Sequence, residues 1–126
     1  MNPPPPDSSM PSPAPELSED SFRELLVSGM VLALQYWQQA TLKGKVDLAL
    51  ESKLWTVNQD GSTLVTRTLD KYLQRSSLPR RPRIDEVLRT LHFVLWHCET
   101  QTPLRSRLED TTGRLVDAHH QRSLQR

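Results

Sequence analysis

Residues 22–37 read FRELLVSGMVLALQYW, and this stretch decides the fold. At about 100° per residue on a helical wheel, eight residues share one broad, mostly apolar face: Phe22, Leu25, Leu26, Gly29, Leu32, Tyr36, Trp37 and Ala40. A second apolar group falls on the opposite side: Val27, Met30, Val31 and Leu34. A helix that is apolar all round lies at the centre of a core or is covered by a partner. The stretch therefore predicts the central helix of a helical domain.

The ends of this helix are marked by capping residues. We predict that it begins at Ser18 or Ser21, because Ser21 and Glu24 have the spacing of a capping box. Gly44 predicts its C-terminal end. Inside the helix, Gly29 costs about 1 kcal/mol relative to alanine, so we expect that another backbone comes close there.

Proline dominates the segment before the helix. Seven of the ten prolines lie between Pro3 and Pro15, and residues 1–20 contain four acidic residues and no basic one. Residues 1–17 hold too little apolar surface to offset the entropy of ordering, so we predict a disordered acidic tail. Two roles stay open for it, a polyproline ligand for an aromatic-lined groove or a solubilising segment. Residues 18–126 are predicted to form a single helical domain.

The chain changes character after residue 54. Asp60-Gly61, set between β-branched residues, favours a hairpin, and we predict its strands at Leu54–Val57 and Thr63–Thr66. A helix over Leu64–Gln74 is the competing prediction, since apolar residues there are roughly helix-spaced. The third alternative is a loop that closes at Gly61 and is followed by that helix.

Proline also separates the next two elements. Pro79 and Pro82 prevent a continuous helix, so Arg75–Arg83 is predicted to be a connector. A helix is predicted from Ile84 to Glu99. Its apolar side chains share one face: Ile84, Val87, Leu88, Leu91, Leu95 and Cys98.

The last predicted helix, residues 102–124, has the clearest start in the chain. Thr102 stands at the N-cap position and Pro103 at the first helical position. A narrow stripe follows: Leu104, Leu108, Thr111, Leu115 and Ala118. Such a stripe predicts a seam for one neighbouring helix, and Gly113 predicts a frayed end. The fold class is therefore mainly α, with about four helices and a short hairpin near Gly61.

The overall composition indicates a soluble intracellular protein. The net charge is +1, but residues 67–126 carry twelve basic and seven acidic residues. Cys98 is the single cysteine, so no intrachain disulfide forms, which fits a reducing compartment. The apolar run Leu25–Leu34 is too short to span a bilayer, and the N-terminus lacks the pattern of a secretory signal. We expect the cytoplasm, the nucleus or both, and no membrane contact.

No residue pattern predicts catalysis. His92 and His97 are five residues apart on a helix and no second cysteine accompanies Cys98, which is not the spacing of zinc ligands. The glycines are too scattered to form a phosphate-binding loop. Cys98 falls on an apolar face, where an inert buried thiol is expected. We predict no catalytic residue, no metal, no cofactor and no enzymatic activity.

Two apolar groups are candidate partner-binding residues. The segment Phe22-Arg-Glu-Leu25-Leu26, which follows an acidic proline-rich stretch, resembles the amphipathic helices of transcriptional activation segments. The resemblance implies that Phe22, Leu25 and Leu26 enter a partner's groove. The favoured alternative is that they begin the core helix, because the apolar pattern continues beyond them. Phe93 and Trp96 lie off the main face of their helix, as a second core layer or as exposed anchors for a partner.

A cluster of basic side chains is the second kind of candidate site. Four arginines lie on the connector: Arg75, Arg80, Arg81 and Arg83. Their guanidinium groups could bind phosphate, nucleic acid or an importin-like acidic groove, and Arg105 and Arg107 could extend the cluster. The alternative to a binding site is that the connector is a solvated linker. Ser76 and Ser77 are candidate phosphorylation sites, because phosphate there would replace part of the positive charge by negative charge.

The function that we predict first is binding of a protein partner through apolar helix faces. The protein would be a non-enzymatic regulatory factor, viral accessory or nuclear. The alternative is a small RNA- or DNA-binding accessory protein that uses the Arg75–Arg83 loop. The apolar first helix and the narrow seam of the last helix also predict self-association as a homodimer.

Overall fold

The computed structural model describes residues 17–124, and this part of the chain is mainly helical. The elements follow one another as α1 (Glu19–Thr41), α2 (Lys45–Ser52), β1 (Asn58–Asp60), β2 (Thr63–Val65), α3 (Arg67–Asp70), a 3-10 turn (Arg75–Ser77), α4 (Ile84–His97) and α5 (Pro103–Leu124). The predicted fold class is therefore confirmed. The tail predicted over residues 1–17 lies, up to residue 16, outside the described residues.

The three long helices α1, α4 and α5 pack on one another and enclose the core. Gly29 of α1 faces side chains of both α4 and α5. A Cβ atom on Gly29 would be 2.9 Å from Cδ2 of Leu91 and 3.1 Å from Cδ1 of Leu115. The expected approach of another backbone is therefore wrong: the atoms nearest to Gly29 belong to side chains of α4 and α5.

The ends of α1 differ in part from the sequence prediction. Ser18 is the N-cap, and its hydroxyl accepts a hydrogen bond from the Ser21 amide at 3.1 Å. The helix ends at Thr41, because Leu42 takes the left-handed conformation at φ 59°. The predicted stop at Gly44 is wrong. Gly44 is instead the N-cap of α2, and its amide donates to the Asp47 carboxylate at 3.2 Å.

A two-residue turn joins the strands of the hairpin. Asp60 pairs with Thr63, so Gly61 and Ser62 form the turn, and Gly61 has a φ of +63°, which favours glycine. The hairpin near Gly61 is thus confirmed. Its first strand is Asn58–Asp60 rather than Leu54–Val57.

Tertiary contacts of Trp55 explain why the predicted first strand does not form. The Trp55 indole N–H donates to the Thr90 hydroxyl at 2.8 Å, and its ring packs on Tyr72 at 4.9 Å between centroids. These contacts hold residues 54–57 against α4 instead of in a ladder. The competing helix over Leu64–Gln74 is realised only as α3, Arg67–Asp70.

The C-terminal helices begin where the sequence predicts. The Thr102 hydroxyl accepts from the Arg105 amide at 3.3 Å, as expected of an N-cap. In α4 the buried face is rotated from the predicted one and takes in Thr90 and Val94. α5 continues through Gly113 to Leu124, the end predicted for it. Buried side chains on both sides of Gly113, among them Leu108 and Leu115, hold the helix by tertiary packing.

Candidate functional site

The segment between α3 and α4 is strongly basic. Residues 71–83 contain five basic residues and no acidic one: Lys71, Arg75, Arg80, Arg81 and Arg83. The arginine loop, residues 78–83, follows the 3-10 turn and leads directly into α4. Three of its six residues are arginines.

Arg23 of α1 fixes the backbone of the arginine loop. Its guanidinium donates to the carbonyl oxygens of Leu78 at 3.0 Å, Pro79 at 2.9 Å and Arg80 at 3.4 Å. Hydrogen bonds from an ionised donor are stronger than neutral ones. One side chain therefore holds three consecutive peptide groups of the loop against α1.

Tyr72 fixes the other end of the loop. Its hydroxyl accepts a hydrogen bond from the Arg83 amide at 2.7 Å, and its ring is buried against Trp55. Leu78 is also buried in the core. The loop backbone is thus held from α1, from the segment after α3 and from its own apolar residue.

The side chains of the predicted arginine cluster separate into two groups. Arg80, Arg81 and Arg83 are exposed, and their guanidinium groups form no hydrogen bond or ion pair within residues 17–124. Arg75 is half-buried and pairs with Asp20 at 2.6 Å. The loop therefore presents three uncompensated cations on a fixed backbone.

Two further exposed basic residues lie between the hairpin and this loop along the chain. Lys71 is exposed next to Tyr72, and Arg67 is exposed with one long ion pair to Asp60 at 3.3 Å. Trp55 before β1 and Tyr72 after α3 pack on each other, so the segment that leads into the hairpin contacts the residue that supports the arginine loop. We call Arg67, Lys71, Arg80, Arg81 and Arg83 the basic surface.

The predicted extension of the cluster by Arg105 is wrong. Its guanidinium is turned inward and donates to the Tyr36 hydroxyl and to the carbonyls of Leu95 and Cys98. It thereby satisfies backbone oxygens at the C-terminal end of α4. Arg107 is exposed on α5.

The aromatic and apolar candidates lie mostly inside the molecule. Phe22, Leu25 and Leu26 are buried, as expected if they begin the core helix, so they are not available to a partner's groove in the folded domain. Phe93 is half-buried and packs on Trp37, with 5.9 Å between ring centroids. Trp96 is 83% exposed.

The candidate phosphorylation sites are both accessible. Ser76 and Ser77 are exposed in the 3-10 turn, and the Ser77 hydroxyl donates to the carbonyl oxygens of Lys71 and Gln74. They stay predictions as sites of modification.

Few other groups in the described part of the chain suggest chemistry. Burial raises the pKa of the Cys98 thiol, and the nearby Arg105 offsets part of that rise. Residues 17–124 contain no group of three or more His, Cys, Asp and Glu side chains that could hold a metal ion. None of the helices there is long and apolar enough to cross a membrane.

Sequence reasoning missed the residues that support the loop. Arg23 and the carbonyls that it binds are more than fifty residues apart, and Tyr72 and Arg83 are linked across a connector. Arg23 is the one basic residue among the acidic residues at the start of α1, and this was the available signal for it. The signal for Tyr72 was absent, because a lone tyrosine in a helical pattern is usually a core residue.

Comparison with known proteins gives one informative match. No protein-family model matches the chain, and no curated protein sequence does. Among solved structures, the chain is similar to the crystal structure of the DNA-binding domain from the sensor histidine kinase ChiS from Vibrio cholerae. The two share 40% sequence identity with a TM-score of 0.78, over 81% of this chain and 95% of that one.

Proposed function

This chain belongs to the family of the ChiS DNA-binding domain, and on that premise we propose that it binds DNA through the basic surface. The observation that carries the proposal is the match at 40% identity over nearly the whole of that domain. It favours the nucleic-acid alternative of the sequence analysis over the protein-binding function that we predicted first. The proposed role is non-enzymatic.

Phosphate binding is the contribution that we assign to the arginine loop. A guanidinium binds phosphate oxygens in a bidentate manner and stays charged at every physiological pH. Because Arg23 and Tyr72 already fix the loop backbone, DNA does not need to order it. Preorganisation of this kind lowers the entropic cost of binding.

The hairpin is the element that we assign to base contacts. Phosphate contacts set the position of a protein on DNA, whereas base edges in a groove carry the sequence. A two-stranded ribbon fits the major groove. The hairpin is exposed over most of its length, and three of its polar residues, Asn58, Gln59 and Thr63, can form hydrogen bonds to base edges.

The salt dependence of DNA binding tests the proposal. We expect the unaltered chain to bind a mixed-sequence duplex at about 0.05 M salt, where electrostatic attraction is strong. Changing Arg80, Arg81 and Arg83 together to alanine should remove this binding, because most of the affinity comes from phosphate contacts. The measurement is fluorescence anisotropy of a labelled duplex, with circular dichroism to verify folding. Absence of binding by the unaltered chain overturns the proposal.

A pair of single changes provides the matched control. Arg81→Ala should reduce the slope of log affinity against log salt by about 0.9, the value for one phosphate contact. Arg114→Ala removes the same charge from α5 and should leave the slope unchanged. Equal effects of the two changes would mean that only net charge matters and that the loop has no particular role.

A further inference from the structure

The register of the hairpin gives it two different faces. Gln59 of β1 pairs directly with Leu64 of β2. Side chains alternate between the faces of a strand, and paired residues share a face, so these two form one face of the hairpin. We call it the outer face. The inner face carries the other four strand residues: Asn58, Asp60, Thr63 and Val65.

The inner face is the one turned towards the rest of the domain. Val65 lies on it and is the one half-buried residue of the two strands. Asp60 lies on it as well and pairs with Arg67 at 3.3 Å. A carboxylate repels phosphate, so this face is also the less suitable one for DNA. Of the polar residues that can form hydrogen bonds to base edges, Gln59 alone belongs to the outer face.

The outer face combines an amide with an exposed apolar side chain and carries no charge. Leu64 is 48% exposed, although it is a large hydrophobic residue. The amide nitrogen of Gln59 donates a hydrogen bond to the Gly61 carbonyl at 3.1 Å. This bond uses one of the two amide protons, which leaves one N–H and the carbonyl oxygen free. A donor, an acceptor and an apolar group therefore lie at neighbouring positions on one face.

These three groups are complementary to A·T pairs in the major groove. Adenine presents the N7 acceptor and the N6 amino group there, and a glutamine amide binds both at once. Thymine presents its C5-methyl group, which apolar side chains contact. Side chains directly opposite each other on paired strands have Cβ atoms about 5 Å apart, and successive bases rise by about 3.4 Å. Gln59 and Leu64 are therefore spaced to contact adjacent base pairs.

We propose that Gln59 and Leu64 read two adjacent A·T pairs in the major groove, Gln59 at an adenine and Leu64 at a thymine methyl group. The inference rests on the proposed DNA binding and assigns a sequence preference to it. The ion pair between Asp60 and Arg67 joins the hairpin to a member of the basic surface. Base contacts by the outer face and phosphate contacts by the basic surface can thus be made to one duplex.

Selection from random duplexes tests the preference. The full chain is mixed at about 0.1 M salt with duplexes that carry a randomised stretch, and the bound fraction is sequenced. We expect two adjacent A·T pairs to recur in it. Replacing the adenine that Gln59 binds by guanine, with cytosine opposite, should weaken binding about tenfold, since guanine offers two acceptors and no amino donor in this groove.

Deoxyuridine in place of thymidine isolates the role of Leu64, because it removes only the C5-methyl group. In the selected duplex this replacement should weaken binding by the unaltered chain about fourfold, the value for burial of one methylene-sized group. Leu64→Ala should bind the two duplexes equally, because its side chain no longer reaches the methyl group. Circular dichroism verifies that the variant is folded.

Gln59→Glu tests the role of the amide. A carboxylate only accepts hydrogen bonds, and its partner in the major groove is the cytosine amino group. Selection with this variant should therefore return cytosine where the unaltered chain returns adenine. Asn58→Ala is the matched control, because Asn58 is an exposed polar residue of the inner face. It should return the same sequence as the unaltered chain.

The outcomes separate this inference from the proposed function. Binding without any recurring base pair overturns the inference and leaves DNA binding in place. The same holds for a preference that Leu64→Ala and Gln59→Glu leave unaltered, or that Asn58→Ala alters as much as they do. Absence of binding to any duplex at about 0.05 M salt overturns the proposed function, and the inference with it.

Discussion

Leu91 is the side chain on which the packing of the three long helices most depends. It is fully buried at the centre of α4 and lies against Gly29 of α1. Leu91→Ala should lower the free energy of unfolding by about 2–5 kcal/mol through lost transfer energy and the remaining cavity. Leu50→Ala, at an exposed position, should change it by less than about 0.5 kcal/mol. Urea denaturation measures both, and equal effects would contradict the assignment of Leu91 to the core.

Gly29 and Leu91 should be energetically coupled. Gly29→Ala alone gains helix propensity but pushes a methyl group into the Leu91 side chain. We expect it to lower the free energy of unfolding by about 1 kcal/mol. In the Leu91→Ala background that methyl group enters a cavity, so the same change should stabilise by about 1 kcal/mol. A double-mutant cycle by urea denaturation measures the coupling. Additive effects would show that the two helices do not meet there.

Arg23 is a positioning residue for the arginine loop. Arg23→Lys keeps the charge but cannot reach three carbonyls at once, because an ammonium lacks the planar fork of a guanidinium. We expect about tenfold weaker DNA binding, because the ordering of the loop is lost. The slope of log affinity against log salt concentration should be unchanged, because the phosphate contacts remain. Anisotropy titrations at several salt concentrations separate the two quantities. A reduced slope would mean that Arg23 itself contacts phosphate.

At the scale of elements, two local signals in the sequence were reliable. Thr102-Pro103 predicts the start of α5, and the Asp-Gly pair predicts a hairpin at Gly61, because both act within a few residues of themselves. Gly44 was misread because glycine is common at both ends of helices. α5 tolerates Gly113 in its interior because packing outweighs helix propensity.

The strand boundary and the support of the site needed information that local sequence lacks. Trp55 leaves the ladder because it binds Thr90, thirty-five residues later. The arginine loop could be predicted from its composition, but Arg23 and Tyr72, which make it rigid, could not. Hydrogen bonds between residues far apart in the chain have no periodicity that a sequence pattern would reveal.

The hairpin should behave as an independent element. The two strands contact each other far more than they contact any helix. Gly61→Ala, at a φ of +63°, should strain the turn by about 1 kcal/mol or more. We expect faster amide exchange in β1 and β2 with almost no change in melting temperature, because hairpin opening is local. Hydrogen exchange followed by NMR tests this, and a large fall in melting temperature would contradict it.

On the scale of the whole molecule, the start of α1 is tied to the rest by exposed ion pairs. Glu19 pairs with Arg122 and Asp20 with Arg75, and such pairs contribute little each. A chain shortened to begin at Glu16 keeps both pairs and the Ser18 cap. Its melting temperature should therefore stay within about 4 °C of the full chain. A larger fall would mean that residues before Glu16 pack on the domain.

The contact between Trp55 and Tyr72 places a fluorophore beside the residue that supports the arginine loop. The chain has three tryptophans, and replacing Trp37 and Trp96 by phenylalanine leaves Trp55 as the sole indole emitter. Its ring lies 4.9 Å from that of Tyr72, whose hydroxyl holds the Arg83 amide. A shift of the arginine loop therefore alters the surroundings of one fluorophore. The wavelength and intensity of its emission will report, without any added dye, whether the loop moves when DNA binds.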